Sequence, residues 1–334
     1  MSMKREWIAL IILAALISLS ILAVGIGWGR QGEALLLRAS MPEAGGWEPA
    51  DIQAIVGQPL HLRLTSQDVT HGFAVGQMEM EAVDIEPGEV TDVTLTFNQP
   101  GTYSYYCTRW CGPNHWRMRG TIEVQGDGHS QPEPDAQPPL YVQLGLDIDA
   151  PHPAAVTPSA RPSTAGVGKL LEKLPELYLS QTYYRSTSPA QAWQELRSES
   201  VAAGLSDDQI WGLVAGIWQA NSNAEMLATG QKLYAQNCAA CHGESGAGDG
   251  PMADDLAASL QLMEGHGSTT PIDFTDAANM LGASPAVLHG KITRGGMGTG
   301  MPYWGPIFTD DQIWALVDWL WTFQFDYDLE VNHE

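Results

Sequence analysis

The alternation of apolar and polar positions changes character several times along the chain. From Trp7 to Gly29 the residues are apolar almost without interruption, broken only by Ser18 and Ser20. That is about the length a helix needs to cross the hydrocarbon core of a bilayer. Lys4 and Arg5 precede the run, so the positive-inside tendency predicts a cytoplasmic N-terminus (1–6), a membrane helix (7–29) and export of everything after Arg30. A cleaved signal peptide is the competing reading. The run is longer than a usual signal core, and no clear small-x-small cleavage site follows, which favours a retained anchor. After a connector (30–50) the period becomes two. Leu60-His61-Leu62-Arg63-Leu64 and Val93-Thr94-Leu95-Thr96-Phe97 alternate, and Asn98-Gln99-Pro100-Gly101 is a turn, which predicts a β domain over 51–125. Residues 126–166 are rich in Gly, Pro, Gln, Asp and Ser, read as a semi-extended linker with a short strand at Leu140–Leu144. Helical patterning then covers 167–223 and 224–326, before a tail (327–334). Ser206-Asp207-Asp208-Gln209-Ile210-Trp211 nearly repeats as Thr309-Asp310-Asp311-Gln312-Ile313-Trp314. Both begin with an N-cap hydroxyl and an acidic first turn, as a helix dipole prefers.

Chemistry concentrates between Tyr106 and Met118, where Cys107, Cys111, His115 and Met118 form C-x3-C-x3-H-x2-M. Soft sulfur mixed with imidazole favours copper, and a mononuclear blue-copper centre needs only one Cys. A second thiolate lets both sulfurs bridge a copper pair that shares one electron, which suits electron transfer rather than bond-making. Such a site needs a second imidazole. His71, opening His71-Gly72-Phe73-Ala74-Val75, is the candidate, and the rival His61 lies in an alternating strand where it points to solvent. A Cys107–Cys111 disulfide is the plain alternative in an oxidising compartment, but it explains neither His115 nor Met118.

With Glu86-Pro87-Gly88-Glu89-Val90 and Tyr103-Ser104-Tyr105-Tyr106 placed around these residues, the stretch from Asp51 to Val124 resembles the CuA cupredoxin domain of subunit II of heme–copper oxidases, especially B-type oxidases with one membrane helix. The resemblance implies an all-β Greek-key sandwich. It implies His71, Cys107, Cys111, His115 and Met118 as copper ligands, with the backbone carbonyl of Arg109 as the last donor. Many subunits II carry Glu where Arg109 stands, which bears on potential and docking more than on binding.

The remaining two cysteines fall in Cys238-Ala239-Ala240-Cys241-His242, the C-x-x-C-H signature of covalent heme c attachment. The two thiols lie about one helical turn apart and each can bond a vinyl group, while His242 offers its imidazole to the iron. A helix at Ala228–Gln236, the loop Pro271–Thr275 and the closing helix from Thr309 make this region similar to the class I cytochromes c, an all-α fold. Gly298-Thr299-Gly300-Met301-Pro302 resembles that family's axial-methionine loop, which points to Met301 as the sixth ligand, with Met297 as runner-up. Met252, Met263 and Met280 read as packing, and His266 and His289 as surface or supporting residues. Two copper thiolates and two heme thioethers use all four cysteines. The 167–223 segment contains no Cys, His or Met and cannot ligate a heme. Either it is a remnant of a duplicated cytochrome domain, or its helix converged on a common cap.

The composition is acidic, with 39 Asp and Glu against 16 Lys and Arg, for a net charge of −23. Nucleic acid is thereby excluded as a partner, since phosphate binding needs clustered cations. An acidic outer face suits a basic electron donor, and equally serves solubility. The resemblances together imply subunit II of a heme–copper oxidase, an oxidoreductase of the translocase class, with binuclear CuA and one heme c. They imply a soluble donor (a cytochrome or cupredoxin), a polytopic subunit I that reduces oxygen, and a location on the outer face of the cell membrane. The alternatives are the copper and cytochrome subunit of a nitric oxide reductase, or a membrane-anchored carrier with no permanent catalytic partner.

Overall fold

The computed structural model describes residues 34–78, 80–112, 114–126, 138–254, 270–296 and 301–328. The expected membrane helix at 7–29 lies outside them. Among the described residues, no helix is long and apolar enough to cross a membrane.

Among the described residues, nine strands build the first domain: β1 (Leu35–Ala39), β2 (Trp47–Glu48), β3 (Asp51–Ile55), β4 (Pro59–Ser66), β5 (His71–Val75), β6 (Val83–Ile85), β7 (Thr91–Thr96), β8 (Gly101–Tyr106) and β9 (Arg119–Gln125). One sheet runs β2-β1-β4-β7 and the other β3-β9-β8-β5-β6. Leu37, Leu62, Leu64 and Leu95 of the first meet Ile52, Phe73, Tyr105 and Ile122 of the second in one buried cluster, as facing sheets require. The alternation in β4 is realised as expected, with Leu62 and Leu64 inside and His61 and Arg63 exposed. The stretch read as a connector, 30–50, contributes β1 and β2. Leu37 and Ala39 are fully buried, and β1 runs parallel to β4 with Leu37 opposite Leu64, so its alternation is that of a sheet strand rather than a tether.

The helical part comprises α1 (Leu140–Gln143), α2 (Gln181–Ser186), α3 (Pro189–Leu196), α4 (Asp207–Ala220), α5 (Ala224–Asn237), α6 (Pro285–Arg294) and α7 (Asp310–Trp321), joined by shorter turns. α5 crosses α7 so closely that a side chain at Gly230 would strike the Ala315 carbonyl. The segment 167–223 shares one core with this pair. Trp218 of α4 meets Trp321 edge-to-face at 6.0 Å and lies 6.2 Å from Phe325.

The strand expected at Leu140–Leu144 is instead the single helical turn α1. Pro138 and Pro139 cannot donate to a ladder, and the turn satisfies itself through Val142 N–H to the Pro139 carbonyl and Leu144 N–H to Leu140. Residues from 138 onward lie against the helices: Ile148 is 2% exposed, and the Ala154 N–H donates to the Ala278 carbonyl.

Candidate metal centres

The loop from Cys107 to Met118 joins β8 to β9 at one end of the sandwich. Its neck is closed by the final register pair Tyr106 and Arg119 and by the Cys107 N–H bonding the Met118 carbonyl at 3.1 Å. β5 runs beside β8, Ala74 opposite Tyr106, which brings its first residue, His71, to the loop. Gly72 has a steric reason: a Cβ there would strike the Thr108 hydroxyl, and its N–H points at Cys107 Sγ, 3.4 Å away. Within the loop, Asn114 adopts the left-handed conformation and a short 3₁₀ turn (His115–Arg117) folds back over the cysteines.

The six expected donors converge. Cys107 Sγ and Cys111 Sγ are 3.9 Å apart, close but unbonded. Cys107 Sγ lies 3.7 Å from His71 Nδ1 and 3.2 Å from the Arg109 carbonyl oxygen. Cys111 Sγ lies 3.4 Å from His115 Nδ1 and 3.8 Å from Met118 Sδ. Donor atoms of His71, Cys107 and Cys111 fall within 4.8 Å of one another, all three residues buried. The Arg109 guanidinium turns outward to a two-point pair with Asp84, both bonds 2.7 Å, which leaves its carbonyl facing the thiols.

Two buried thiols this close titrate as a pair. Hydrogen bonding from Cys111 drives Cys107 towards thiolate, and that same bond, with burial, pushes Cys111 up. One proton is therefore retained until a cation replaces it, since metal binding to thiols releases protons. Burial opposes protonation of His71, yet its hydrogen bonds to Cys107 and Asp68 raise it overall. Two thiolate sulfurs, two imidazoles, a thioether and a carbonyl make a soft, enclosed donor set that fits copper.

Asp68 is the functional residue that the sequence reading missed. Its Oδ1 is 2.7 Å from His71 Nε2, and its Oδ2 accepts the Met41 N–H at 2.7 Å. That leaves Nδ1 as the nitrogen turned to the thiols, the arrangement in which a carboxylate orients a histidine that can ligate a metal. The available signal was Asp-x-x-His immediately before β5.

The second centre follows α5. Cys238 closes that helix and a single turn, Ala239–His242, carries Cys241 and the histidine. His242 Nδ1 donates to the Ile272 carbonyl at 3.1 Å, and its ring stacks on Phe274 at 4.6 Å. Burial lowers its pKa and keeps the imidazole neutral, with Nε2 available. His242 and Met301 line one cavity, walled mainly by apolar side chains including Phe274, Met280, Leu288 and Leu320. Burial pushes the Cys238 thiol up to about 12. A slot with an imidazole and a thioether on its walls, and two cysteines beside that imidazole, fits a covalently held heme. Met297, Met263 and His266 lie outside the described residues. Met252 is buried with its sulfur 3.9 Å from Cys241 Sγ. His289 is not a surface residue: it is 5% exposed, bonded to Asp310 at 2.9 Å and stacked on Trp314.

Comparison with known proteins agrees with this division. Residues 50–125 match the family described as cytochrome c oxidase subunit II, periplasmic domain, and residues 227–324 match cytochrome c. Cytochrome c oxidase subunit 2 of Thermus thermophilus is 40% identical over 80 residues, covering 24% of this chain and 58% of that relative. An alternative cytochrome c oxidase subunit 2 of Bradyrhizobium diazoefficiens is 32% identical over 85 residues, covering 25% of this chain and 30% of the relative. The chain thus spans less than two thirds of the length of these relatives. Among solved structures, a heme–copper terminal oxidase dimer matches with 25% identity and a TM-score of 0.25, covering 36% of this chain and 97% of that one. The periplasmic domain of subunit II of cytochrome oxidase from Bradyrhizobium japonicum matches at 20% identity and a TM-score of 0.22, covering 29% of this chain and 88% of that one. One polypeptide here joins a domain of the cytochrome c oxidase subunit II family to a cytochrome c domain.

Proposed function

We propose that this chain is the electron-transfer subunit, subunit II, of a heme–copper terminal oxidase. It takes electrons from a soluble donor at one heme c and delivers them through a binuclear copper centre to an oxygen-reducing subunit I in the membrane. The single observation that carries this reading is the convergence of His71, Cys107, Arg109, Cys111, His115 and Met118 around two unbonded sulfurs.

Bound there, the copper pair supplies a one-electron relay, and the heme held by Cys238, Cys241, His242 and Met301 supplies a second. The protein's part is to hold both donor sets rigid and close. Asp68 and Trp47 fix the copper loop from behind, the latter donating its indole N–H to the Met118 carbonyl at 3.1 Å. Ile272 fixes the His242 ring. The stretch after Met301 rests on the copper domain. Arg119 donates to the Tyr303 carbonyl at 2.8 Å and lies 5.2 Å from the Trp304 ring centroid. The Gln77 N–H donates to the Ile307 carbonyl at 2.8 Å. Arg119 follows Met118 in sequence and Trp304 stands three residues after Met301, so one contact joins the surroundings of both centres. The apolar run at 7–29 anchors the chain, with both domains on the outer face.

The test is affinity purification of the full chain from membranes in detergent, followed by optical spectra and gas consumption. Oxygen uptake driven by reduced cytochrome c, with a polytopic subunit copurifying, is expected. Turnover only with nitric oxide, or isolation without a polytopic partner, overturns it.

A further inference from the structure

Residues 138–154 are strapped across the cytochrome domain. Tyr141 of α1 sits where a side chain at Gly290 would stand, 2.7 Å from that position. Asp149 accepts two bonds from Arg294, one of them at 2.8 Å. A side chain at Gly282 would collide with the backbone of His152 and Pro153. This strap brings Ala150, Pro151, His152 and Pro153 onto the wall of the cavity that holds His242 and Met301.

Lys291, on α6, lines the same cavity. It is half-buried, and it has no hydrogen-bond or ion-pair partner among the described residues. Asp147 and Asp149 act on it only through their field, and Asp149 is already engaged by Arg294. A partly desolvated cation beside an apolar slot is costly unless an anion meets it. His152 does not compete for that anion, because its Nε2 is bonded to the Asp147 carbonyl at 2.8 Å.

We propose that Lys291 receives a carboxylate of the bound heme, and that the strap over residues 146–153 covers this edge so that the pair forms away from water. The proposal rests on the heme reading of residues 227–324. A cation beside a heme carboxylate favours the reduced iron by offsetting negative charge. Lys291→Gln in the full chain is expected to shift the ferric–ferrous equilibrium about tenfold towards ferric, a downward midpoint shift of about 59 mV for one electron. Lys291→Arg should restore most of it. Asp149→Asn weakens the tie to Arg294 that holds the strap on the cavity wall, and is expected to make the Lys291→Gln shift fade as salt is raised, since an exposed pair is screened. Cys238 and Cys241 are retained throughout, so the heme stays attached and optical titration reads each variant. Equal potentials for the wild type and Lys291→Gln overturn the proposal, as does a Lys291→Gln shift that Lys291→Arg reproduces in full. Absence of heme from the wild-type chain overturns both this and the reading beneath it, and is distinguished by the missing heme bands.

Discussion

Cys111 stands at the crossing of the copper loop, within 4 Å of the sulfur of Cys107, the imidazole of His115 and the thioether of Met118. Replacing its sulfur by a hydroxyl removes one soft donor of the proposed copper site and leaves the fold of the loop in place. Cys111→Ser is expected to abolish the near-infrared absorption of the copper pair while leaving the heme c bands intact. Met301→Ala should do the reverse, giving a high-spin heme with the copper bands unchanged. Optical spectra of the two purified variants check both, and loss of both signals in either variant would refute the separation of the centres. At this scale the sequence was informative wherever the candidate donors share one loop, because C-x3-C-x3-H-x2-M fixes their spacing without help from the fold. His71 needed a fold to reach them. Asp68 was invisible because its role depends on β5 lying beside β8, and an acidic residue three positions before a histidine is common in turns.

Helices α4 and α7 show how far a local signal reaches. Both carry complete capping boxes, Ser206 with Gln209 and Thr309 with Gln312, as their shared sequence required. The structure adds a second correspondence: α3 and α6 each begin at Ser-Pro-Ala, at Ser188 and Ser284, so helix pairs rather than single helices recur. The sequence could not show that the two halves share a core, because that depends on which faces meet. At their junction the Tyr184 hydroxyl of α2 donates to Asp318 of α7 at 2.5 Å, and the second carboxylate oxygen has no hydrogen-bond partner among the described residues. Burial raises Asp318 to about 7, against which the Tyr184 bond and the Arg185 charge pull down. A raised folded-state pKa means that the stabilising contribution is complete below the unfolded value of about 4 and is lost as pH rises through 7. Three units correspond to about 4 kcal/mol. Asp318→Asn keeps an acceptor for Tyr184 and removes the charge. Thermal melts should coincide with wild type near pH 4 and show the variant more stable at pH 7.5. A wild-type advantage at pH 7.5 would mean that the carboxylate is ionised at no cost.

At the scale of the whole molecule, the arrangement that matters is the seat of the cytochrome domain on the copper domain, which no local pattern foretold. A semi-extended linker by itself sets no fixed seat for the two. Instead the sandwich and the helices meet in a packed contact: Tyr106, next to Cys107, faces the ring of Phe308 edge-on at 6.5 Å, and Ala74 and Tyr106 belong to the helical core cluster. Lys232 pairs with Glu81 at 3.3 Å across the same boundary, but this exposed ion pair contributes little, so the fit of surfaces carries the contact. Gly76 lies in close contact across it. A Cβ there would stand 2.7 Å from Ile307 Cα, 2.8 Å from the Ile307 oxygen and 3.0 Å from the Pro306 oxygen. All three are backbone atoms, which cannot turn aside as a side chain would. Gly76→Ala therefore acts as a wedge between the domains and touches neither ligand set. Both sets of absorption bands and both midpoint potentials should survive. The heme-to-copper transfer rate, followed after rapid reduction of the heme by a photochemical donor, should fall at least tenfold as the contact between Trp304 and Arg119 opens. Adding Arg119→Ala to the wedge should then cost little more, because the route is already broken. An unchanged rate in Gly76→Ala would show that electrons cross elsewhere, or that the two domains do not transfer in this seated position.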